Sequence, residues 1–382
     1  MARILYMSQG YSTHDRRFLR EIAAAGHQVW LLPFENQAYE SRPVPEHVVQ
    51  LPPLTGTSKA PWRWLRARRA FRNHLKTIKP DLIHAGPIQS SAFVAAWAGF
   101  HPLLAMSWGS DILTVGMRTR LLRFITRYTL ARADLFFADC QAVKTKVQGL
   151  AAFRPDQFIV FPWGVDTTVF QPRPSQLGLR QALGWETARI LLHTRGFEPI
   201  HDPMVFLRAI EPVMHQHSDV RAVMLGRGSL RADAERFIAE RHLGSRIHLA
   251  GQVQHTTVPD YFNESDLYVS TTLSDGSSIS LLEAMACRRA VIVTEGYGNA
   301  EWVVPGKNGW LYPAGDVSAL SAAILDALQD DARRKTMGVA NRELVERRAD
   351  WAENIGTLLN AYDRLLGRTP PPVAQPMATV KL

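Results

Sequence analysis

The stretch Ser274-Asp-Gly-Ser-Ser-Ile-Ser-Leu-Leu-Glu283-Ala-Met-Ala-Cys287 follows a short apolar run, Leu267–Ser270, and turns into helical spacing from Ser278. A strand, a glycine-bearing loop and a helix in direct succession make one α/β step. Gly276 permits close backbone approach, and the hydroxyls of Ser277 and Ser278 suit a helix cap. The N–H groups and positive dipole end at such a helix start favour an anion, with a diphosphate as a natural occupant. Glu283 lies inside the helix, and side chains tilt toward the N-terminus. Its carboxylate is thereby suited to a pair of vicinal hydroxyls, as on a ribose. The same residues also fit a capped, buried helix with an incidental glutamate. Both readings stay open on the residues alone.

Outward from this stretch the same alternation covers the chain. Strand-type runs in the first half are Ile4–Ser8, Val29–Pro33, Leu82–His84, Leu103–Ser107, Leu135–Ala138 and Phe158–Phe161. In the second half they are Ile190–Thr194, Ala222–Leu225, Ile247–Leu249, Leu267–Ser270 and Val291–Thr294. Helically spaced segments such as Phe18-Leu19-Ile22-Ala23 lie between them. This pattern predicts α/β units with parallel sheets. The alternation restarts after Val165–Ser175, which holds Pro172 and Pro174. The expected organisation is therefore two doubly wound, Rossmann-like domains, 1–170 and 171–350, facing a central cleft. A last helix, 351–366, is expected to pack back on the first domain, and a flexible tail, 367–382, follows.

Composition agrees. A chain of 382 residues, 46% hydrophobic and 21% charged, is neither disordered nor fibrous. The cysteines, Cys140 and Cys287, show no pairing or zinc pattern, which fits a reduced, cytoplasmic chain. No run approaches the 18 or more apolar residues of a membrane-spanning helix. The net charge of +9 is uneven: residues 1–170 hold 21 Lys/Arg and 11 Asp/Glu, residues 171–382 hold 23 and 24. The whole excess sits in the first half and points to an anionic partner there.

Several further pieces stand in a definite order: Lys79-Pro-Asp-Leu-Ile-His84, Trp108-Gly-Ser-Asp111, Pro162-Trp-Gly-Val-Asp166 with Phe170, Arg195 after a strand, Gly226-Arg-Gly228, Gly251-Gln-Val253 with Tyr261, and Glu301, Gly306, Asn308-Gly309 and Gly315-Asp316. With Asp275 and Glu283 eight positions apart, this set resembles glycosyltransferase family 4, retaining enzymes of the GT-B fold that use nucleotide-sugar donors. The likeness runs from residue 3 to about 330.

The resemblance implies roles residue by residue. Glu283 would bind ribose hydroxyls and Asp275 hydroxyls of the donor sugar. The amides of Gly276, Ser277, Ser278 and Ile279 would hold the diphosphate or sugar. Arg195 would neutralise the departing diphosphate, a task that suits a guanidinium fork. The backbone around Val253 would face the nucleobase, and the loop of Gly10 would approach the phosphates. No metal or other cofactor is expected, since no Asp-x-Asp occurs. The expected partners are the nucleotide sugar and a glycan or lipid-linked acceptor. A degenerate nucleotide-sugar-binding protein, a phosphorylase and an epimerase are the alternatives.

Departures from the family pattern mark where this chain differs. The lysine usual five residues after the arginine is Ile200, followed by His201-Asp202. Either His201 replaces that cation, or Arg195 and the helix act alone. The glycine pair of the first loop is replaced by Ser12-Thr-His14-Asp15-Arg16, where His14 or Arg16 would touch phosphate or acceptor; His14 is assigned to the acceptor side. The usual loop histidine is Trp108, which can do no acid–base work and is also assigned to the acceptor side. Asp111 is then the polar residue expected nearest the chemistry, with a structural carboxylate as the alternative. His84, His193, His215 and His217 are read as structural or surface residues.

Two runs carry cations without acids. Residues 59–79 hold eight basic residues interleaved with Trp62, Trp64, Leu65, Phe71 and Leu75, and residues 117–132 hold five arginines around Leu121, Leu122, Phe124 and Ile125. Both are expected to be helical. They suit a solvated face packed on the core, or peripheral contact with an anionic membrane at the inner face of the plasma membrane; nucleic acid is the weakest option.

Overall fold

The computed structural model describes residues 1–37, 40–55 and 62–369. The chain divides into two compact units. One is Met1–Pro162 together with the segment that starts at Glu353, and the other is Trp163–Ala352.

The first unit is built on seven parallel strands: β1 (Arg3–Ser8), β2 (Gln28–Pro33), β3 (Val48–Gln50), β4 (Leu82–Ala85), β5 (Leu103–Met106), β6 (Leu135–Ala138) and β7 (Phe158–Val160), in the order β3-β2-β1-β4-β5-β6-β7. The second has six: β8 (Arg189–His193), β9 (Val220–Leu225), β10 (Ile247–Gly251), β11 (Leu267–Val269), β12 (Ala290–Thr294) and β13 (Gly309–Tyr312), in the order β10-β9-β8-β11-β12-β13. In both sheets the order reverses beside the first strand, between β1 and β4 and between β8 and β11. Loops that leave neighbouring strands there diverge to opposite faces and open a crevice at the strand ends.

The expected α/β architecture is thus present, with two strands that carried no signal, β3 and β13. Strand residues alternate between the two faces of a buried sheet. Leu5 and Met7 enter one core with Phe71 and Ile83. Tyr6 faces the other side, where its ring meets His84 at 4.9 Å and Phe18 at 6.4 Å.

Two expected boundaries shift. The first unit ends at Pro162 rather than 170, because Val165 and Phe170 are sunk into the second unit's core with Phe262 and Leu282. The final helix, Trp351–Leu365, starts in the second unit and belongs to the first from Glu353 onward. There Tyr362 is fully buried, and its hydroxyl lies within hydrogen-bond distance of His84 Nδ1, at 2.6 Å. The expected tail lies outside the described residues from position 370, and so do 59–61 of the first basic run.

Burial pushes His84 and His193 each down to about 3, so both are neutral in the fold. Unfolded, they titrate near the ordinary histidine value of about 6.5. Below that pH the unfolded chain binds protons that the native chain excludes. Stability is therefore complete above about pH 6.5 and falls with acid by up to about 1.4 kcal/mol per pH unit per histidine. Urea unfolding from pH 7 to pH 5 should show a falling midpoint, with a shallower fall in His193→Gln. An identical pH dependence in that variant would contradict neutral burial of His193. Tyr362→Phe leaves the buried His84 Nδ1 without its hydroxyl partner and should cost about 1–3 kcal/mol in the same assay.

Candidate active site

The expected donor residues gather at the switch point of the second sheet. The loop after β8 supplies Arg195, and the loop after β11 supplies Asp275 to Ser278 and leads into the helix Ile279–Ala286. Arg195 pairs with Asp275 at 3.0 Å. Its Nη1 donates to Ser280 Oγ at 3.4 Å, and its Nε faces His201 Nδ1 at 3.4 Å. Ser280 in turn accepts from buried Tyr268 O–H at 2.8 Å. The guanidinium is thus fixed at the mouth of the helix by three groups from three segments.

His201 cannot stand in for the missing lysine. Burial, and then the adjacent Arg195, push it down to about 2. It is a neutral acceptor that orients Arg195, on a short 3-10 turn, Pro199–His201. Of the two options left open by the sequence, the geometry supports the second, Arg195 with the helix.

The expected serine cap is corrected. Ser278 is the N-cap residue, but its hydroxyl makes no bond to the first-turn amides and lies 3.3 Å from Ser280 Oγ. Ser277 Oγ accepts from Trp302 Nε1 at 3.3 Å. Neither serine hydroxyl thus caps the helix Ile279–Ala286. The Asp275–Ser277 loop is shaped from behind by Gly298. A Cβ there would fall 2.0 Å from the Gly276 carbonyl oxygen, so only glycine fits.

Glu283 sits one turn into the helix and is nearly buried, and His255 Nε2 lies 3.1 Å from its Oε1. His255 follows Val253 in the loop after β10. Sequence reading missed it, because 28 positions separate the pair and no spacing rule connects them.

The first unit has its own crevice at the corresponding place, a cavity of about 320 Å³ lined by Gln9, Arg63, Trp64, Ser90 and Trp108 among others. Gln9 accepts from Ser90 Oγ at 2.7 Å, and Arg63 pairs with Glu35 at 3.7 Å across the same cavity. Asp111 borders it, and its carboxylate is held by four hydrogen bonds within the unit. Oδ1 accepts from Ser107 Oγ at 2.6 Å, Trp108 N at 2.9 Å and Ile112 N at 3.0 Å, and Oδ2 from Ile88 N at 3.0 Å. These four bonds clasp two loops together, which is the structural alternative for this residue.

Gly10 has an intrachain reason. A Cβ there would meet the Gln37 carbonyl oxygen at 2.3 Å. His14 lies in the first turn of the helix Thr13–Ala24, half-buried. That helix is capped reciprocally by Ser12 and Asp15, not by a glycine-rich loop.

The two basic runs are helices, Arg63–Ile78 and Arg120–Leu130. Ala67, Phe71 and Ile78 pack into the core, yet Trp62, Leu65, Leu121 and Phe124 stay 57%, 61%, 66% and 63% exposed among the arginines. Among the described residues no helix is long and apolar enough to cross a membrane, and no three His, Cys, Asp or Glu side chains converge as a metal site.

Comparison with known proteins agrees with this arrangement. Residues 178–344 match the family model for glycosyl transferases group 1, and residues 3–140 match that for glycosyl transferase 4-like proteins. The phosphatidylinositol N-acetylglucosaminyltransferase GPI3 subunit of Saccharomyces cerevisiae is 26% identical over 259 residues, which is 68% of this chain but only 56% of that protein. The GDP-mannose-dependent alpha-(1-6)-phosphatidylinositol monomannoside mannosyltransferase of Mycolicibacterium smegmatis is 22% identical over 278 residues, covering 68% of this chain and 69% of the relative. In fold, the chain is similar to Anabaena HepE, crystallised with UDP and glucose, at a TM-score of 0.81 and 19% identity over 95% of this chain and 100% of that one. The two units are therefore a glycosyl transferase 4-like domain and a glycosyl transferases group 1 domain, and the chain is a member of the GT-B glycosyltransferases.

Proposed function

We propose that the chain is a retaining, metal-independent glycosyltransferase of family 4. It would move a sugar from a UDP- or GDP-sugar to a glycan or lipid-linked acceptor in glycoconjugate biosynthesis. The observation that carries this reading is Arg195, held at the start of the helix Ile279–Ala286 between Asp275 and Ser280, with Glu283 one turn deeper.

In this reading the diphosphate meets Arg195 and the amides of Gly276 to Ile279. Asp275, released from part of its pairing with Arg195, takes hydroxyls of the donor sugar, and Glu283 takes the ribose. The backbone near Val253 borders the base. As the bond from the anomeric carbon to the phosphate oxygen breaks, charge grows on the diphosphate, where Arg195 and the helix end stabilise it. The acceptor oxygen bonds the same face of the anomeric carbon, and its proton passes to the departing phosphate. Asp111, its carboxylate engaged by four hydrogen bonds that clasp two loops, keeps a structural role in this reading. The first unit's cavity, with Trp64, Trp108, Glu35 and Arg63, would receive the acceptor.

A thermal-shift screen against UDP, GDP, ADP and TDP and their sugars, with and without EDTA, tests this, because a ligand of the native state raises Tm by mass action. One nucleotide should give a selective rise that EDTA leaves unchanged. Arg195→Ala should weaken its binding about tenfold or more. No shift with any nucleotide would remove the donor-site assignment, and turnover lost on EDTA treatment would remove metal independence.

We further propose that the exposed Trp62, Leu65, Leu121 and Phe124, set among arginines, rest on an anionic membrane and bring the cavity to a lipid-borne acceptor. Each cation near such a surface contributes about 1 kcal/mol. The protein should float with phosphatidylserine vesicles at low salt, less so at high salt. The double variant Leu121→Glu, Phe124→Glu should stay at the bottom of the gradient. Wild-type protein that never floats would exclude the contact.

A further inference from the structure

Glu283 presents a nearly buried carboxylate, 8% exposed, whose hydrogen-bond partner among the described residues is His255. A buried carboxylate with so little support is costly unless more donors reach it. Its three side-chain torsions also leave the carboxylate plane undetermined by the helix alone.

His255 removes that freedom. Its Nε2 lies 3.1 Å from Glu283 Oε1. The imidazole is itself fixed, edge-on to the Phe170 ring at 5.3 Å and 63°. Phe170 is fully buried, and its carbonyl accepts from Arg342 Nη1 at 2.6 Å. The same Nη1 reaches the Ala286 carbonyl at 3.0 Å, at the far end of the helix that carries Glu283. Arg342 thus ties the Phe170 segment to this helix, and the imidazole–carboxylate pair ties the loop after β10 to it. His255 remains one-third exposed, so the pair lies at an opening and not in the core.

We propose that His255 is a positioning residue for the nucleoside half of the donor. It holds Oε1 of Glu283 and leaves Oε2 as the acceptor for the vicinal hydroxyls of a ribose. This rests on the reading of Glu283 given above. A ribose hydroxyl then meets an oriented oxygen, and the site prefers ribonucleotides to their 2′-deoxy counterparts because of His255.

The test is calorimetric titration of the full chain with whichever of UDP, GDP and ADP binds wild type best, and with its 2′-deoxy counterpart. Wild type should favour the ribonucleotide about tenfold, as a lost hydrogen bond to a charged group implies. His255→Phe keeps a ring against Phe170 without an N–H, and should bring that preference to about twofold or less. His255→Gln keeps a donor and should restore most of it. If His255→Phe does not fold, His255→Asn, whose amide is too short to reach Glu283, is read in its place. Equal losses for both nucleotides, with the preference intact, would make His255 merely structural and overturn the proposal. A wild type that binds nucleotide without any ribose preference would overturn the role of Glu283 first, and a wild type that binds none would overturn the nucleotide site as a whole.

Discussion

A guanidinium at the N-terminus of a helix is a cation placed against the positive end of a dipole worth roughly half an elementary charge. Arg195 occupies that place, 3.4 Å from Ser280 in the first turn of the helix Ile279–Ala286. It is tolerable there because Asp275 neutralises it at 3.0 Å and because His201, at its back, carries no charge. A protonated His201 would set two cations and a helix end against a single carboxylate. With His201 neutral, the balance still leaves the helix end uncompensated, which is the electrostatic state that a diphosphate would complete. The loop that carries Asp275 is shaped to this end, packed so closely on Gly298 that a methyl group has no room.

The two sheets solve the same problem twice. In each, the strand order reverses beside the first strand, and the loops on either side of that reversal bend away from one another. In the second unit the crevice collects a cation, two carboxylates and the start of a helix. In the first it collects tryptophans, amides and the Arg63–Glu35 pair. One topology thus yields a crevice around an arginine–aspartate pair at a helix start and a crevice with aromatic walls. The difference lies in the side chains presented there: in the first unit by the loops after β1, β2, β4 and β5 and the start of the helix Arg63–Ile78, in the second by the loops after β8 and β11 and the helix Ile279–Ala286.

Most strands were legible because a parallel strand covered on both faces is an uninterrupted apolar run, as at Leu135–Ala138 and Val291–Thr294. β3 was not, since its three residues lie among prolines and two of them are exposed. β13 was not, because Gly309-Trp310-Leu311-Tyr312 lacks β-branched residues and follows an Asn-Gly turn signal. The domain boundary was placed late for a related reason. Prolines 172 and 174 mark a linker by composition, but Phe170 had already been captured by the second core, and burial of one aromatic ring outweighs local punctuation. Arg195, Asp275 and Glu283 were readable from their order along the chain. The serine cap was misread, because hydroxyls that fit a cap by sequence are here drawn to each other and to Trp302.

His201 and His255 show the limit most clearly. Both are histidines in loops, and a sequence gives them the same ordinary titration range. Burial beside Arg195 makes the first a permanent acceptor, whereas the second sits at an opening against a carboxylate, where its N–H has a direction to impose. The charge of a histidine belongs to its surroundings, so the residue that looked like a substitute for a lost lysine is the one that cannot be a cation. In the proposed reading the task of that lysine would fall on Arg195 and on backbone amides. A site with one mobile cation fewer would depend more heavily on preorganised geometry, and the proposed tether from Phe170 through His255 to Glu283 would supply some of it.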